Sequence, residues 1–229
     1  EPAGYSFSAS NPYYSEEAHK RYSAYDPVRA RELLEKAGYR DSDRDGFREL
    51  KDGSRFELNI DVTGPGEGVD ICELVRTHWQ DVGIKVNLNI ALRDIIWPRR
   101  VNGEFDIHYW ELEGPQDPLG RLNDWAIMGK TVPFWHRNAS QEGPPWLHEA
   151  TRNIVGAITT VDTGEVRTFM EKARDLHSDH VPVIATGSTY RIWGASTRLG
   201  NVPTDLLIAD VYRGFSRPVF HEQIFFRQP

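Results

Sequence analysis

The sequence predicts an α/β fold in which helices flank a central, largely parallel sheet. The evidence is two runs of alternating apolar residues, a helical pattern between them and a third strand pattern after them. The runs are Phe56, Leu58, Ile60 and Val62, and then Ile84, Val86, Leu88 and Ile90. Strict alternation indicates a strand with one buried face, and strands joined by helical crossovers in one sheet run parallel. The order strand, helix, strand, helix, strand therefore predicts a parallel sheet.

The connecting segments have helical spacing. Apolar residues recur three or four positions apart between the first two strands, at Cys72, Val75, Trp79 and Val82. Gly83 then ends that helix. A short helical piece at 95–101 leads into the third strand at 105–110. Both connections are therefore read as helical crossovers packed on the sheet.

An earlier helix begins at a strong capping signal. Asp26 can accept hydrogen bonds from the free amides of the first turn, and Pro27 suits the first helical position. The apolar positions that follow are Ala30, Leu33, Leu34 and Ala37. Their spacing predicts one buried face, and Gly38 supplies the left-handed stop.

The second half of the chain is less regular. Residues 111–145 are rich in Gly, Pro, Trp, His and charge, which predicts a long irregular loop after the third strand. Loops of this length inside a domain are usually functional. Two helices are predicted next, at 146–160 and 163–180, followed by short buried strands at 181–185 and 190–194.

Composition and charge exclude several classes of protein. The 229 residues are 39% hydrophobic and 27% charged, which fits a soluble protein with a core. A net charge of −7 disfavours a surface that tracks nucleic-acid phosphates. No apolar run approaches the roughly 20 residues of a membrane span. The single cysteine, Cys72, excludes an internal disulfide and a cysteine-based zinc site.

The order of the first motifs resembles that of one known family. The helix at 26–38, the DSDRDG turn, the Asp52-Gly53 turn and the strand at 56–62 are similar to the start of a particular lobe. That lobe is the C-terminal one of the extracellular solute-binding proteins of ABC importers, family 5, the peptide- and nickel-binding type. The runs VGIKVNLNI and NGEFDIHYW resemble the family's next helix-to-strand step and its following strand. The matches extend over residues 25–225.

The resemblance implies a lobe like those of periplasmic binding proteins, and a binding function. It implies an approach or hinge segment at 1–24 laid over the surface, a ligand-binding lobe at 25–215 and a return segment at 216–229. We expect this sequence to be an excised lobe that captures a peptide or similar small solute against a missing N-terminal lobe. The implied partners are the permease subunits of an ABC transporter. The implied location is periplasmic or extracellular, with lipid or membrane attachment through the missing N-terminus as an option.

The expected ligand contacts lie where the third strand enters the long loop. In peptide-binding members of the family, a carboxylate in this loop pairs with the terminal ammonium of the ligand, just before an Asp-Pro. Asp117-Pro118 matches that landmark. The resemblance therefore assigns the contact to Glu113 first and to Glu111 second, although the family's usual aspartate is absent. Asp117 is a third candidate.

Aromatic residues crowd the same region. Trp110, Trp125 and Trp135 are the candidates to line a cleft, because flat rings give large contact area at low entropic cost. The alternative for each of them is core packing.

An acidic turn carries the spacing of a calcium loop. Its carboxylates are Asp41, Asp43, Asp45, Glu49 and Asp52, and a glycine, Gly46, lies at the sharpest bend. Two features depart from the calcium pattern, since Asp52 replaces a longer glutamate and Arg48 stands where an apolar residue is usual. The alternative is a turn whose carboxylates accept from its own amides. Calcium is the one cofactor that the sequence suggests.

An enzyme is the alternative class of function. Glu111, Glu113 and Asp117 could serve a carboxylate- or metal-assisted hydrolase, because neighbouring acids can supply an acid and a base. The sequence contains no G-x-S-x-G, no H-E-x-x-H and no complete phosphate-binding loop. We therefore predict a binding protein without catalysis.

Overall fold

A computed structural model of the chain describes residues 4, 7, 11–110, 122–127, 143–186, 196–202 and 224–227. These residues belong to two compact units, and the chain passes from the first to the second between Ser23 and Ala24 and is back in the first at residues 122–127 and from 143 onward. Residues 24–110 are called the sheet unit, and the other described residues are called the helical unit. The division lies next to the predicted boundary at residue 24, whereas the predicted boundary at 215 lies outside the described residues.

The elements alternate between helix and strand in the first half of the chain and are mainly helical afterwards. The helices are α1 (Glu16–Lys20), α2 (Pro27–Ala37), α3 (Glu67–Asp81), α4 (Arg93–Asn102), α5 (Leu122–Trp125), α6 (Pro145–Thr159) and α7 (Thr163–His180). The strands are β1 (Glu57–Thr63), β2 (Lys85–Ala91), β3 (Ile107–His108), β4 (Leu199–Gly200) and β5 (Phe225–Phe226).

The sheet unit contains a three-stranded parallel sheet, which confirms the predicted fold class. The strand order is β2-β1-β3. β1 pairs with β2 along its full length, from Glu57 opposite Lys85 to Thr63 opposite Ala91. β1 pairs with β3 where Asp61 lies opposite His108. β3 is shorter than the predicted strand at 105–110.

One face of this sheet is apolar and is covered by α3. Ile60, Val62 and Val86 on the strands and Cys72 on α3 are each at most 2% exposed. This packing follows from the alternation of β1 and from the helical spacing of α3. The other face of β1 carries Asn59, Asp61 and Thr63, and α4 packs against it.

The predicted ends of α2 are confirmed, but its predicted buried face is wrong. Asp26 accepts from the Arg29 amide at 2.8 Å, and Gly38 ends the helix with a φ of 97°. No side chain of α2 is buried, and Leu33 remains 49% exposed. The physical reason is that α3 already covers the apolar face of the sheet. α2 is instead attached through Arg31, which donates to the Asp81 carbonyl at 2.7 Å.

The helical unit is built on α6 and α7, whose bounds agree with prediction to within one residue. Its core consists of Phe7, Trp125, Ala126, Ile154, Ala157, Met170 and Ala173. α1 packs on α7, where the Ser178 hydroxyl donates to the Ala18 carbonyl at 3.0 Å. Phe7 has no exposed area. The segment 1–24 thus supplies a helix and a core residue, and is more than a covering of the surface.

The predicted strand at 181–185 is not formed. Val181 adopts a left-handed conformation with a φ of 44°, and its amide donates to the His177 carbonyl at 2.9 Å, which ends α7. Pro182 follows and has no backbone N–H to donate to a neighbouring strand. Ile184 is 64% exposed. The other predicted strand, at 190–194, lies outside the described residues.

Candidate functional site

The carboxyl ends of the parallel strands meet at one edge of the sheet unit. Open α/β sheets bind ligands in crevices at this edge. β1 ends there at Thr63, and β3 ends at His108, two residues before Trp110. Because Asp61 lies opposite His108 and side chains alternate along a strand, Thr63, His108 and Trp110 belong to the same face. This is the face that α4 partly covers.

The ring of Trp110 is packed rather than open. It lies 5.2 Å from the Trp97 ring and 5.6 Å from the His108 ring, measured between centroids. The guanidinium carbons of Arg93 and Arg100 lie 5.4 and 5.1 Å from its centroid. Ring and cation contacts of this kind hold an indole in one orientation. Trp110 is therefore a braced side chain at the end of the sheet.

Four buried polar atoms on this face have no hydrogen-bond partner in the part of the chain that the structure describes. They are Thr63 Oγ1, both ring nitrogens of His108 and Trp110 Nε1. Most buried polar atoms in proteins do have a partner, and each one left without costs about 1–3 kcal/mol. Such a group of atoms therefore needs an explanation.

His108 is neutral at pH 7. Burial is the main cause that lowers its pKa, the nearby Arg100 guanidinium lowers it further, Asp61 opposes them, and the resulting pKa is about 4. A neutral imidazole has one N–H donor and one acceptor nitrogen. His108 therefore offers both kinds of hydrogen bond.

A buried carboxylate lies beside this group. Asp61 is 1% exposed and accepts from Arg99 Nε at 2.6 Å and from Asn89 Nδ2 at 2.8 Å. Arg99 belongs to α4, so this ion pair fixes α4 to the polar face of β1. A polar groove of about 500 Å³ runs past it, and its lining includes Asn59, Phe105 and Asp106.

A second cavity opens at the ends of β1 and β2. It measures about 590 Å³ and is lined by Gly64, Pro65, Gly66, Val69, Asp70, Ile90, Ala91 and Leu92. A side chain at position 64 could not be accommodated, because a Cβ there would lie 2.5 Å from Ile90 Cγ2. The cavity is mainly apolar, with the acidic Asp70 at its margin.

Of the predicted ligand-contact residues, the structure describes Trp110 and Trp125. Glu111, Glu113, Asp117 and Trp135 lie outside the described residues. Trp110 lies at the carboxyl edge of the sheet. Trp125 has no exposed area and packs against Phe7 and His177, with centroids 4.9 Å away in each case. Trp125 therefore packs in a core, as in the alternative prediction, and does not line a cleft.

The acidic turn gathers four of its five predicted carboxylates. Oxygen atoms of Asp41, Asp43, Asp45 and Glu49 lie within 4.8 Å of one another. Asp52 does not join them, since its carboxylate accepts from the amide and the hydroxyl of Ser54 at 3.0 and 2.6 Å. The carboxylate of Asp52, which the calcium-loop spacing places at position 12, is therefore absent from the cluster.

The carboxylates of this turn are also engaged by the turn itself. Gly46 donates its amide to Asp41 at 3.1 Å, and Ser42 donates its amide to Glu49 at 2.7 Å. Arg55 forms an ion pair with Asp45. These contacts fit the alternative to a calcium loop, in which the carboxylates accept hydrogen bonds from amides of their own turn.

Sequence reasoning did not single out Asp61, Thr63, Arg99 or His108. The sequence signal for these residues was the set of polar positions that alternate with the apolar ones in each strand. Asn59, Asp61 and Thr63 fall between the apolar positions of β1, and Asn87 and Asn89 do the same in β2. A face of this kind indicates either exposure to solvent or a site.

Comparison with known proteins gives one family and several related folds. The sequence model of the family described as "Bacterial extracellular solute-binding proteins, family 5 Middle" matches residues 1–125. No curated protein matches the chain significantly. Among the described residues, no helix has both the length and the apolar character that crossing a membrane requires.

Three solved structures illustrate the similarity of fold. The oligopeptide-binding protein OppA has a TM-score of 0.71 and 24% identity, over 78% of this chain and 32% of its own. MelB from Agrobacterium fabrum C58, in complex with stachyose, has a TM-score of 0.72 and 18% identity, over 80% of this chain and 28% of its own. NikA from Brucella suis, in complex with Fe(III)-EDTA, has a TM-score of 0.63 and 23% identity, over 76% of this chain and 34% of its own. This chain thus spans well under two thirds of each of those proteins.

Proposed function

The chain belongs to the bacterial extracellular solute-binding proteins, family 5, and we propose that it forms one lobe of the substrate-binding component of an ABC importer. A small solute is captured between this lobe and a second lobe of the same protein. The closed protein then delivers the solute to the permease subunits. The family's description implies an extracellular or periplasmic location. Attachment to a membrane through a lipid would come from a segment outside this chain.

The observation that carries this proposal is the family match over residues 1–125, which includes the whole three-stranded sheet. The share of each related chain that is covered, 32% for OppA, supports the assignment of this chain to one lobe. We propose that the lobe corresponds to 25–215 and that 1–24 and 216–229 lead to the rest of the protein, with Phe7 and α1 of the first segment also packed on the helical unit.

The proposed mechanism is capture without chemistry. A ligand that bridges two lobes favours the closed form by its differential affinity for that form. We propose that Glu113, Glu111, Asp117 and Trp135 contribute contacts from the long loop. Trp110 contributes from the end of β3 through its N–H, because its ring is already packed. The apolar cavity beside Ile90 and Leu92 suits an apolar part of the solute.

The hydrolase alternative is not proposed. It depends on Glu111, Glu113 and Asp117, which lie outside the described residues, and the family is one of binding proteins. We also propose that the acidic turn serves mainly as a self-bonded turn, and that calcium is not required for solute binding.

Native mass spectrometry of the full-length protein, purified without added ligand, tests the proposal. We expect a non-covalent solute that is released on unfolding. The present chain alone should bind the same solute feebly, because half of the contacts are missing. Submicromolar binding by the chain alone would contradict a shared cleft, and a full-length protein that never carries or binds a small solute would contradict the function itself.

A further inference from the structure

Four buried polar atoms have no hydrogen-bond partner among the residues that the structure describes, and they indicate what kind of group the site is built to hold. They come from Thr63, His108 and Trp110, three side chains on one face at the carboxyl edge of the sheet. The Thr63 hydroxyl can donate and accept, the Trp110 indole can only donate, and neutral His108 offers one donor and one acceptor. The three side chains together therefore present both donors and acceptors.

This inventory discriminates between chemical classes of ligand. A carboxylate or phosphate accepts only, and would leave the acceptor nitrogen of His108 without a partner. An ammonium group donates only, and would leave the Trp110 N–H without one. A hydroxyl group donates one hydrogen bond and accepts two at a single oxygen atom. Neighbouring hydroxyl groups, as in a polyhydroxy compound, can therefore supply both the donors and the acceptors that the four atoms require.

The spacing also favours a hydroxyl over a peptide group. The centroids of the His108 and Trp110 rings lie 5.6 Å apart. One oxygen atom can bridge groups at this separation. The N–H and C=O of a trans peptide point in opposite directions, so one peptide unit cannot make both contacts at the same place.

We propose that Thr63, His108 and Trp110 form a subsite for hydroxyl groups of a neutral polyhydroxy solute, such as an oligosaccharide. The inference rests on the proposed function and names the class of solute that this lobe takes. All three side chains are partly exposed, so small rotations of these side chains, without movement of the strands, bring their buried polar atoms within reach of a solute.

The proposal predicts a conflict between stability and binding. Replacing a buried polar group that lacks a partner with an apolar group of the same shape is neutral or stabilising. Thr63→Val should therefore keep or raise the Tm of the full-length protein. If the hydroxyl of Thr63 binds the solute, the same change should weaken affinity by about tenfold, the loss expected for one hydrogen bond to a neutral partner. A purely structural role of Thr63 would not move the affinity.

The test is calorimetric titration of the full-length protein with stachyose, mannohexaose and tri-alanine, combined with native mass spectrometry of the solute it carries. Trp110→Phe, which keeps an aromatic ring but removes the N–H, gives a second variant if Thr63→Val fails to fold. Thr77→Val is the matched control, because the Thr77 hydroxyl is exposed and donates to the Glu73 carbonyl on α3.

Binding of a saccharide that is weakened in Thr63→Val and Trp110→Phe, but not in Thr77→Val, supports the subsite. Saccharide binding that is unchanged in both variants overturns it. Binding of tri-alanine alone, or a carried solute without hydroxyl groups, also overturns it while leaving the proposed transport function intact. A full-length protein that carries no solute and binds none of the three probes contradicts the proposed function itself.

Discussion

The two faces of β1 differ sharply, although they are made by alternate residues of one strand. Ile60 and Val62 point to α3 and are 2% and 1% exposed in an apolar core. Asp61 and Thr63 point to the opposite face, where Asp61 forms a buried ion pair and Thr63 lacks a hydrogen-bond partner among the described residues. The first face contributes stability, and the second keeps polar groups that stability alone does not favour. We infer that the second face is shaped by binding.

The largest effect on stability is expected on the apolar face. Ile60→Ala should lower the free energy of unfolding by about 2–5 kcal/mol, because it removes buried methyl groups and leaves a cavity. Chemical denaturation followed by circular dichroism measures this loss. Ile90→Ala is the control on β2, since Ile90 is 49% exposed and should cost less. Equal losses in the two variants would contradict the assignment of the core.

A smaller loss is expected at the buried ion pair. Asp61→Ala leaves Arg99 and Asn89 without their acceptor, but Arg99 is 38% exposed and water can replace part of the lost contact. We expect a loss of about 1–3 kcal/mol, less than for a fully buried pair. Asp61→Asn retains an acceptor oxygen and should cost less than Asp61→Ala. If both variants unfolded at the same denaturant concentration as the parent, Asp61 would not hold α4 on the sheet.

The stability of the protein should fall as the pH falls from about 6.5 toward 4. An unfolded histidine titrates near 6.5, whereas burial lowers the pKa of His108, and also that of His177, to about 4 in the folded protein. Below pH 6.5 the unfolded state takes up protons that the folded state excludes, so the folded state loses stability.

His108→Phe isolates the share of this pH dependence that belongs to the polar face. The charged groups around His108 are Arg100, which opposes its protonation, and Asp61, which favours it. The variant should show a shallower fall of the unfolding free energy between pH 6.5 and 4. His177 contributes to the remainder, and so, at the acid end, do Glu16, Asp52 and Glu57, whose pKa values are lowered by hydrogen bonds. A parent protein whose stability does not change over this interval would show that neither histidine is held neutral.

The smallest effect is expected at the acidic turn, where polar groups are exposed and already bonded. Asp41→Asn should change the free energy of unfolding by less than about 1 kcal/mol, the scale of exposed hydrogen bonds. Titration of the protein with calcium at millimolar concentration should give no binding heat. A clear binding heat that disappears in Asp41→Asn would instead assign the four gathered carboxylates to a calcium site.

The sequence was sufficient where a single periodic pattern determines the structure. The alternation in β1 and β2 and the spacing in α3 predict the parallel sheet, and the capping residues Asp26 and Gly38 predict both ends of α2. The family resemblance, read from the same motifs, is confirmed by the match over residues 1–125. These features depend on residues that are close together in the sequence.

The failures have a common physical origin in contacts that are distant in the sequence. Leu33 has the spacing of a buried helix face, but which helix covers the sheet depends on competition with α3. Val181 to Ala185 has the composition of a strand, but the end of α7 sets the conformation of Val181. Buried polar atoms of Thr63 and His108 have no partner within the described ranges, because neither α4 nor β3 supplies one. None of these relations is visible in a local pattern.

The most direct test of solute binding at the edge of this sheet is an indole NMR titration of the full-length protein. The protein is first stripped of its solute by unfolding and refolding, and the released solute is then added back. We expect the Trp110 indole N–H resonance to shift on binding, while that of Trp125, which is packed in a core, stays in place. Binding of the solute with no change in the Trp110 resonance would show that the solute does not bind at this edge of the sheet.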